Sequence, residues 1–499
     1  MKVKRLHLQN YGRFEDLKID FAPTAEKTGN VTVIVGNNGA GKSQILQALA
    51  TTLSWFIVRL KENNAEGKYL TQLIIRNNSS RSIIETEIED LGAIENEGSW
   101  EKSSMLASWK IGVWKEKKLQ PALHDFQISN LHHIVDRYRL TFMENQDASL
   151  PILAFYPVDR SVKSTPMETN ENSISNQLSA YDNTLENSVS FESFFLWFRE
   201  REDIENEGVA FSRNNFEEET VKKLIESSVK KIIDKEVDSL LKNKEFKSEF
   251  ISLLSKQISK LEKEYPKILA SMIHDKQLQI VKLAIKVFTG LDNPVVRRQG
   301  TPTMIVEKNG EELDVNQLSQ GEKSLFALVG DIARRLALLN PSLDNPLEGE
   351  GVVMIDEVDL HLHPKWQHDL IDKLVNTFPN VQFILTTHSP HVISDRNDIL
   401  LYSLDDGELT EMPNVYGEDA NTVLTKIFDV DIRDSKVEEQ FIVIRRAISK
   451  HDYLTAENGI TELAEKLPSE HLELLKCRLL LAQAKLAKSN KDESSYAED

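Results

Sequence analysis

Gly36-Asn37-Asn38-Gly39-Ala40-Gly41-Lys42-Ser43 decides how the rest of this chain is read. The apolar run Val31-Thr32-Val33-Ile34-Val35 precedes it and reads as a β-strand. Gln44 to Ile57, rich in Leu and Ala, follows it and reads as a helix. A G-x-x-x-x-G-K-[ST] loop between strand and helix is a phosphate cradle. Its glycines let backbone N–H groups turn inward around phosphate oxygens, and the helix N-terminus adds partial positive charge and unpaired donors. Lys42 is then expected to reach the β- and γ-phosphates of a nucleotide, and Ser43 to offer its hydroxyl to Mg²⁺. A glycine-rich turn without a ligand would call for neither flank.

Composition frames that loop. The 499 residues are 40% hydrophobic and 28% charged, an ordinary globular balance, and the length suits about two to four domains. No apolar run approaches the roughly 18 residues of a membrane span. The longest, around Leu53–Val58 and Val352–Ile355, are far shorter, so no membrane partner is expected. The start, Met1-Lys2-Val3-Lys4-Arg5, is basic, but no apolar signal region follows. Cys477 is the only cysteine, which excludes a disulfide framework and a cysteine metal site and fits a reducing, cytoplasmic setting. A net charge of −19 argues against a chain coated on all sides by nucleic acid, while leaving room for local basic patches.

The remaining chain is read around the loop. Ser82–Glu89 partly alternates and Trp109–Lys115 alternates cleanly, which predicts hairpins of an antiparallel lobe. Leu131 to Phe142 reads as a helix, and Pro151–Pro157 as a buried strand followed by the turn Val158-Asp159-Arg160-Ser161. Residues 164–188 are polar and read as a mobile loop. From Ser190 a helix carries Phe191, Phe194, Phe195, Trp197 and Phe198, read as an aromatic core stripe. Phe216 to Phe288 is helical and charged, without sustained heptads. There Lys222, Lys223, Lys230, Lys231 and Lys235 either line a solvated face beside neighbouring Glu residues or meet a phosphate backbone. Asn309-Gly310 is a two-residue hairpin turn.

A second group of motifs follows. Leu318-Ser319-Gln320-Gly321-Glu322-Lys323 opens a helix continuing through Leu325, Leu328, Ile332 and Leu336, with Ser319 and the Gly321 backbone at its N-terminus, a second anion site. Gly351-Val352-Val353-Met354-Ile355-Asp356-Glu357 is a buried strand ending in two acids. His361 and His363 in Val358–Pro364 are a poor zinc set, being two His at i, i+2 with no nearby Cys. Phe383-Ile384-Leu385-Thr386-Thr387-His388 is another core strand, ending in a histidine. Beyond it, residues 436–487 predict two or three helices around Pro468, with Leu472, Leu475, Leu479, Ala482 and Leu486 on one face, and Ser489–Asp499 reads as disordered.

In this order the motifs resemble those of ABC-type ATPases of the SMC/RecF/OLD-like branch, closely over residues 1–60 and 310–405. The resemblance implies an α/β fold: a P-loop ATPase head with an antiparallel β lobe, a helical insertion and a C-terminal helical appendage. The expected division is 1–160 and 301–415 for the two parts of the head, 161–300 for the insertion and 416–499 for an interaction region. It implies ATP and Mg²⁺ as cofactors, Asp356 as the acid that helps hold Mg²⁺, Glu357 as general base and His388 as sensor of the γ-phosphate. It implies that Arg13, in Leu6–Phe14, lies near the nucleotide base; a plain surface turn is the other reading. It implies that Ser319 and Gly321 bind ATP held by a second copy, hence at least a dimer with shared sites. The family's Q-loop Gln has no counterpart; Asp159 and Arg160 occupy its place.

The C-terminal helices, the Tyr416–Leu424 segment and the Trp197 helix resemble PtuA, the ATPase family of Septu-type and related retron anti-phage systems. That resemblance implies a cytoplasmic ATPase without nuclease chemistry of its own, which regulates a separate HNH nuclease (PtuB-like) through ATP-dependent oligomerisation. Nucleic acid is reached through the complex, and a retron setting adds a reverse transcriptase and its DNA. The rival readings are a RecF/SMC-like repair ATPase acting directly on DNA, and a solo toxin or nuclease with chemistry in the middle region.

Overall fold

In the computed structural model, which describes residues 1–96, 99–115, 124–160, 176–186, 191–215, 275–299, 302–428, 434–468 and 470–495, alternation builds the first sheet. Its strands are β1 (Lys2–Tyr11), β2 (Phe14–Asp20), β4 (Arg81–Asn96), β5 (Ser99–Trp114) and β6 (His124–Gln127), in antiparallel order β2-β1-β4-β5-β6. Ile84, Thr86 and Ile88 of β4 point inward with Trp109 and Ile111 of β5, as the two-residue period requires. Helix α1 (Lys42–Lys61) lies beneath them: Thr86 Oγ1 donates to Thr52 Oγ1 at 2.8 Å, and Trp109 Nε1 to Thr52 O at 3.3 Å. The expected β lobe is therefore seated on the phosphate-loop helix. Helix α2 (Ser129–Glu144) covers the expected Leu131–Phe142.

The second sheet holds the motifs. It comprises β3 (Val31–Gly36), β7 (Ile152–Tyr156), β11 (Gly351–Ile355), β12 (Val381–Thr386), β13 (Leu400–Asp405) and β14 (Glu408–Glu411), in the order β14-β13-β3-β12-β11-β7. All pairs are parallel except the β13–β14 hairpin. Every residue of β3, β7, β11 and β12 is buried, which is why these segments read as unbroken apolar runs rather than alternating ones. Segments from both ends of the sequence thus share one sheet, with β3 beside β12 and β13.

A third sheet, β8 (Asp292–Arg297), β9 (Thr303–Lys308) and β10 (Glu311–Asp314), turns at Asn309-Gly310, both with positive φ as a two-residue hairpin demands. Its last strand leads toward the helix that begins at Gln320. Helices α3 (Glu192–Asn215), α4 (Lys276–Thr289) and α5 (Gln320–Leu339) pack together. Phe194, Phe195, Trp197 and Phe198 of α3 are buried, Phe194 lying edge-on to Phe326 of α5 at 5.9 Å, so the aromatic face is core as read. Short helices α6 (Pro364–His368), α7 (Leu370–Thr377) and α8 (Pro390–Ile393) complete this part.

Two sequence expectations are corrected. The polar stretch read as mobile is fixed over residues 176–186: Gln177 Nε2 donates to Ala148 O and Leu339 O, and Tyr181 OH to Pro151 O. The end of the chain, read as disordered from Ser489, continues as helix to Ser495, with no Gly or Pro after Pro468 to stop it. The lysines at 222–235 lie outside the described residues.

The described residues divide into two compact units, Met1–Gly417 and Glu418–Asp499. The second contains α9 (Ala420–Ile427), α10 (Ser435–Ser449), α11 (Tyr453–Lys466) and α12 (Leu472–Ser495). Phe441, Ile444, Ile460, Leu463, Leu474, Cys477 and Leu481 form its core. The apolar stripe singled out in the sequence is not part of that core: Leu472, Leu475, Leu479 and Leu486 are 66%, 44%, 60% and 65% exposed. Helix α12 is apolar on two opposite faces and uses only one within its own unit.

Candidate nucleotide site

The site forms where parallel strands end, the usual place for a ligand in a sheet of this kind. The loop after β3 enters α1 through Gly41, whose φ of 111° suits glycine; a Cβ there would meet the Phe14 ring at 2.6 Å and Arg13 Cδ at 3.0 Å. The turn between β1 and β2 is thereby pressed onto the loop. Asn37, Asn38 and Gly39 are exposed, while Ala40 is buried and donates its N–H to Asn37 O at 3.1 Å. Gly41 has no side chain with which to cap α1, so the first-turn amides of Lys42 and Ser43 have no side-chain partner at the cap.

Lys42 Nζ donates to Gly36 O at 2.8 Å and Asn37 O at 3.2 Å and lies 2.9 Å from His388 Nε2. An ammonium has no lone pair, so His388 Nε2 accepts. Burial lowers the Lys42 pKa, although Asp356, Glu357 and Asp359 pull it up. Burial and then the Lys42 charge lower that of His388, which keeps the ring neutral and able to accept.

β11 delivers the acids. Asp356 is buried and its Oδ1 accepts from Thr386 Oγ1 at 2.5 Å; that same hydroxyl oxygen accepts from Glu357 N at 2.7 Å. Glu357 is half-buried and adopts φ 48°, an uncommon conformation for a side chain of this size. Lys42, Ser43, Asp356, Glu357 and His388, scattered over the sequence, are thus gathered at neighbouring strand ends. The N-terminus of α5 meets the loop that follows these acids at Gly321, while the side-chain bonds of Ser319 go to Glu322 of its own helix. Ser319 caps the helix, donating from Oγ to Glu322 Oε2 at 2.9 Å, and a Cβ on Gly321 would stand 2.4 Å from His361 O. The Leu318–Lys323 segment therefore rests on the acid-bearing loop at Gly321.

Arg13 lies against the phosphate loop: its guanidinium donates to Gly39 O and, at 3.0 Å, to Asp406 Oδ1 in the β13–β14 turn. In the Q-loop place, Asp159 is exposed, but Arg160 is buried and donates to the backbone carbonyls of Asp356 and Glu357, the latter at 2.6 Å. Burial pushes its pKa down to about 10, against the pull of Asp356 and Glu357. A cation clamping the acid-bearing loop stands where a glutamine was sought.

Sequence reasoning missed Thr386, Thr387 and Asp406. The Thr-Thr pair before His388 was a signal in plain view, whereas nothing near Asp406 marks it as a partner of Arg13. His363 accepts the Lys365 N–H and caps α6, and among the described residues no group of three or more His, Cys, Asp or Glu could hold a metal ion by itself.

Comparison with known proteins gives the family. Residues 1–393 match the AAA ATPase domain family. The chain is 34% identical over 404 residues to the Retron Vc95 probable ATPase of Vibrio cholerae serotype O1 biovar El Tor, covering 79% of this chain and 71% of that one. It is 32% identical over 441 residues to the Retron Ec83 probable ATPase of Escherichia coli, covering 86% and 76%. The Septu protein PtuA of Bacillus thuringiensis is 32% identical over 165 residues, 31% of this chain and 42% of that one. With residues 1–393 inside the family match and two retron ATPases aligned along most of its length, the chain is an ATPase and belongs to the AAA ATPase domain family.

Proposed function

We propose that this ATPase is the regulatory subunit of an anti-phage defence assembly: it binds and hydrolyses ATP with Mg²⁺, pairs with a second copy across the nucleotide, and thereby controls a separate HNH-type nuclease. The observation that carries the ATP chemistry is the Lys42–His388 contact inside the phosphate loop. It holds a cation and a neutral hydrogen-bonding ring together where a γ-phosphate would arrive. Ser43 and Asp356 offer the hard oxygen donors that Mg²⁺ prefers, and the ion would neutralise phosphate charge. Glu357 is the base that takes a proton from water, and Ser319 with the first-turn backbone at Gly321 forms an anion site facing a second copy. The similarity to two retron ATPases supports the defence setting. The exposed stripe of α12 supports docking of another subunit on the C-terminal unit.

The test is to purify the chain together with the products of adjoining reading frames. A nuclease that co-elutes and changes activity with ATP supports the reading. A chain that binds DNA alone, hydrolyses ATP only when DNA is added and carries no nuclease overturns it in favour of a DNA-repair ATPase.

A further inference from the structure

The segment Thr386-Thr387-His388-Ser389 does more than present a histidine. Thr386 holds the first acid and the amide of the second, as described. Its carbonyl also accepts from Val358 N at 2.9 Å. Thr387 is fully buried; its Oγ1 donates to Asp359 Oδ1 at 2.5 Å and accepts from Ser389 N at 2.9 Å. Ser389 Oγ donates to Gln367 Oε1 at 2.8 Å, beyond the far end of the same loop. Between these anchors the loop is conformationally costly: Glu357 has φ 48° and His361 φ 63°. Such backbone persists only where its surroundings over-determine it. The only side-chain bond that Asp359 makes within the described hydrogen bonds is to Thr387, and that residue adjoins His388, which touches Lys42.

We propose that Thr387 is a positioning residue for hydrolysis. Its bond to Asp359 fixes the 357–361 loop in the conformation that aims Glu357, and ties that loop to the strand end whose histidine contacts the phosphate-binding lysine. A shift of His388 on meeting a γ-phosphate is then transmitted through one residue of backbone to the loop. This rests on Glu357 as the base. In this scheme Asp359 is the anchor, since its Oδ1 accepts from the buried Thr387 hydroxyl, and the Asp359→Asn variant tells an anchor from a base.

The chemistry suggests an isosteric test. Thr387→Val keeps the shape and loses the hydroxyl; Thr387→Ser keeps the hydroxyl. Asp359→Asn keeps an acceptor oxygen and loses basicity; Asp359→Ala loses both. Thr387→Val and Asp359→Ala are expected to lower kcat about 10- to 100-fold, the usual cost of a small misplacement, with ATP affinity within about twofold of wild type. Thr387→Ser and Asp359→Asn are expected to stay within about threefold. Amide hydrogen exchange across 357–361 should speed up in Thr387→Val and not in Thr387→Ser. Equal exchange in those two variants, or wild-type turnover in Asp359→Ala, overturns the proposal. Loss of turnover in Asp359→Asn equal to that in Asp359→Ala would make Asp359 a base and also overturn it. If Thr387→Val is insoluble, the Asp359 pair decides alone. Glu357→Gln measured alongside separates the two readings: wild-type turnover there sinks Glu357 as base, while the exchange comparison still tests the tie.

Discussion

At the scale of single residues, Lys42 spends its three N–H bonds on two loop carbonyls and one imidazole. Phosphate oxygens would compete for those bonds with a full charge. Removing the ammonium leaves only backbone donors, so Lys42→Ala should weaken ATP binding by about 100-fold or more, the worth of two charge-assisted bonds. Calorimetric titration checks this; near-wild-type affinity would refute the phosphate-loop assignment. Glu357→Gln keeps the shape and loses the basicity, so it should retain ATP and slow turnover by about 10²–10⁴, read as single-turnover kinetics with unchanged binding. His388 gives a pH signature. Its pKa is held below the ordinary 6.5, so the folded chain takes up its proton later than the unfolded chain does. This contact costs nothing above that ordinary value; stability falls as pH drops below it and levels off once the folded pKa is passed. Melts from pH 8 to 5 should therefore fall more steeply for wild type than for His388→Asn. Most of these residues were legible because each motif fixes spacing and chemistry together. Arg160 was legible as a place but not as a role, because its partners are two carbonyls almost 200 positions away.

At the scale of elements, α5 shows what pattern reading catches and what it cannot. Its capping box and apolar face announce a helix beginning at Ser319. Nothing announces that Asp331, Arg334 and Arg335, all charged, are buried in its middle. Asp331 Oδ1 accepts from Arg334 at 2.7 Å, and its Oδ2 accepts from Arg335 at 2.8 Å and from the Tyr156 hydroxyl at 2.9 Å. The triad therefore joins α5 to β7, the neighbour of the acid-bearing strand. Burial alone would raise the Asp331 pKa, but Arg335 and Arg334 hold it down at about 2. Its share of stability is present above the free value of 3.8 and is lost as pH falls from there through about 2. Asp331→Ala leaves two buried guanidiniums facing each other and should cost about 3–5 kcal/mol in denaturant melts. A loss below about 1 kcal/mol would mean that water, together with the Ala180 carbonyl that accepts from Arg335, already satisfies them. The misread stretch 176–186 fails for the same reason: Thr184 bonds to Leu153 of β7 and Gln177 to the end of α5, and local composition does not contain that information.

At the scale of the whole molecule, one helix carries two apolar faces. On α12, Leu474, Cys477 and Leu481 pack against α10 and α11, while Leu475, Leu479 and Leu486 face outward on the opposite side. The sequence shows both faces but not which one the chain keeps for itself; only the packing of Phe441, Ile444 and Leu463 decides that. A surface helix ordinarily carries one apolar stripe. A second, spaced at three and four residues, is what a partner helix reads. Of the basic residues on its flanks, Lys476 pairs with Glu473 at 2.9 Å and Lys485 with Glu457, so the apolar stripe itself, more than its rim charge, is what a partner helix would read. The two faces make opposite predictions. Leu474→Ala should cost about 2–5 kcal/mol in the unfolding of this unit, the price of a core cavity. Leu475→Glu with Leu479→Glu should leave the melt within about 0.5 kcal/mol, and leave ATP affinity alone because every phosphate-loop and acid residue belongs to the other unit. On the proposed function it should nevertheless release the co-expressed nuclease, seen as a lower mass by light scattering during size-exclusion chromatography of the assembly. Unchanged mass and unchanged nuclease recovery in that double variant would show the outward stripe to be without a partner, and would move the docking face elsewhere on the chain.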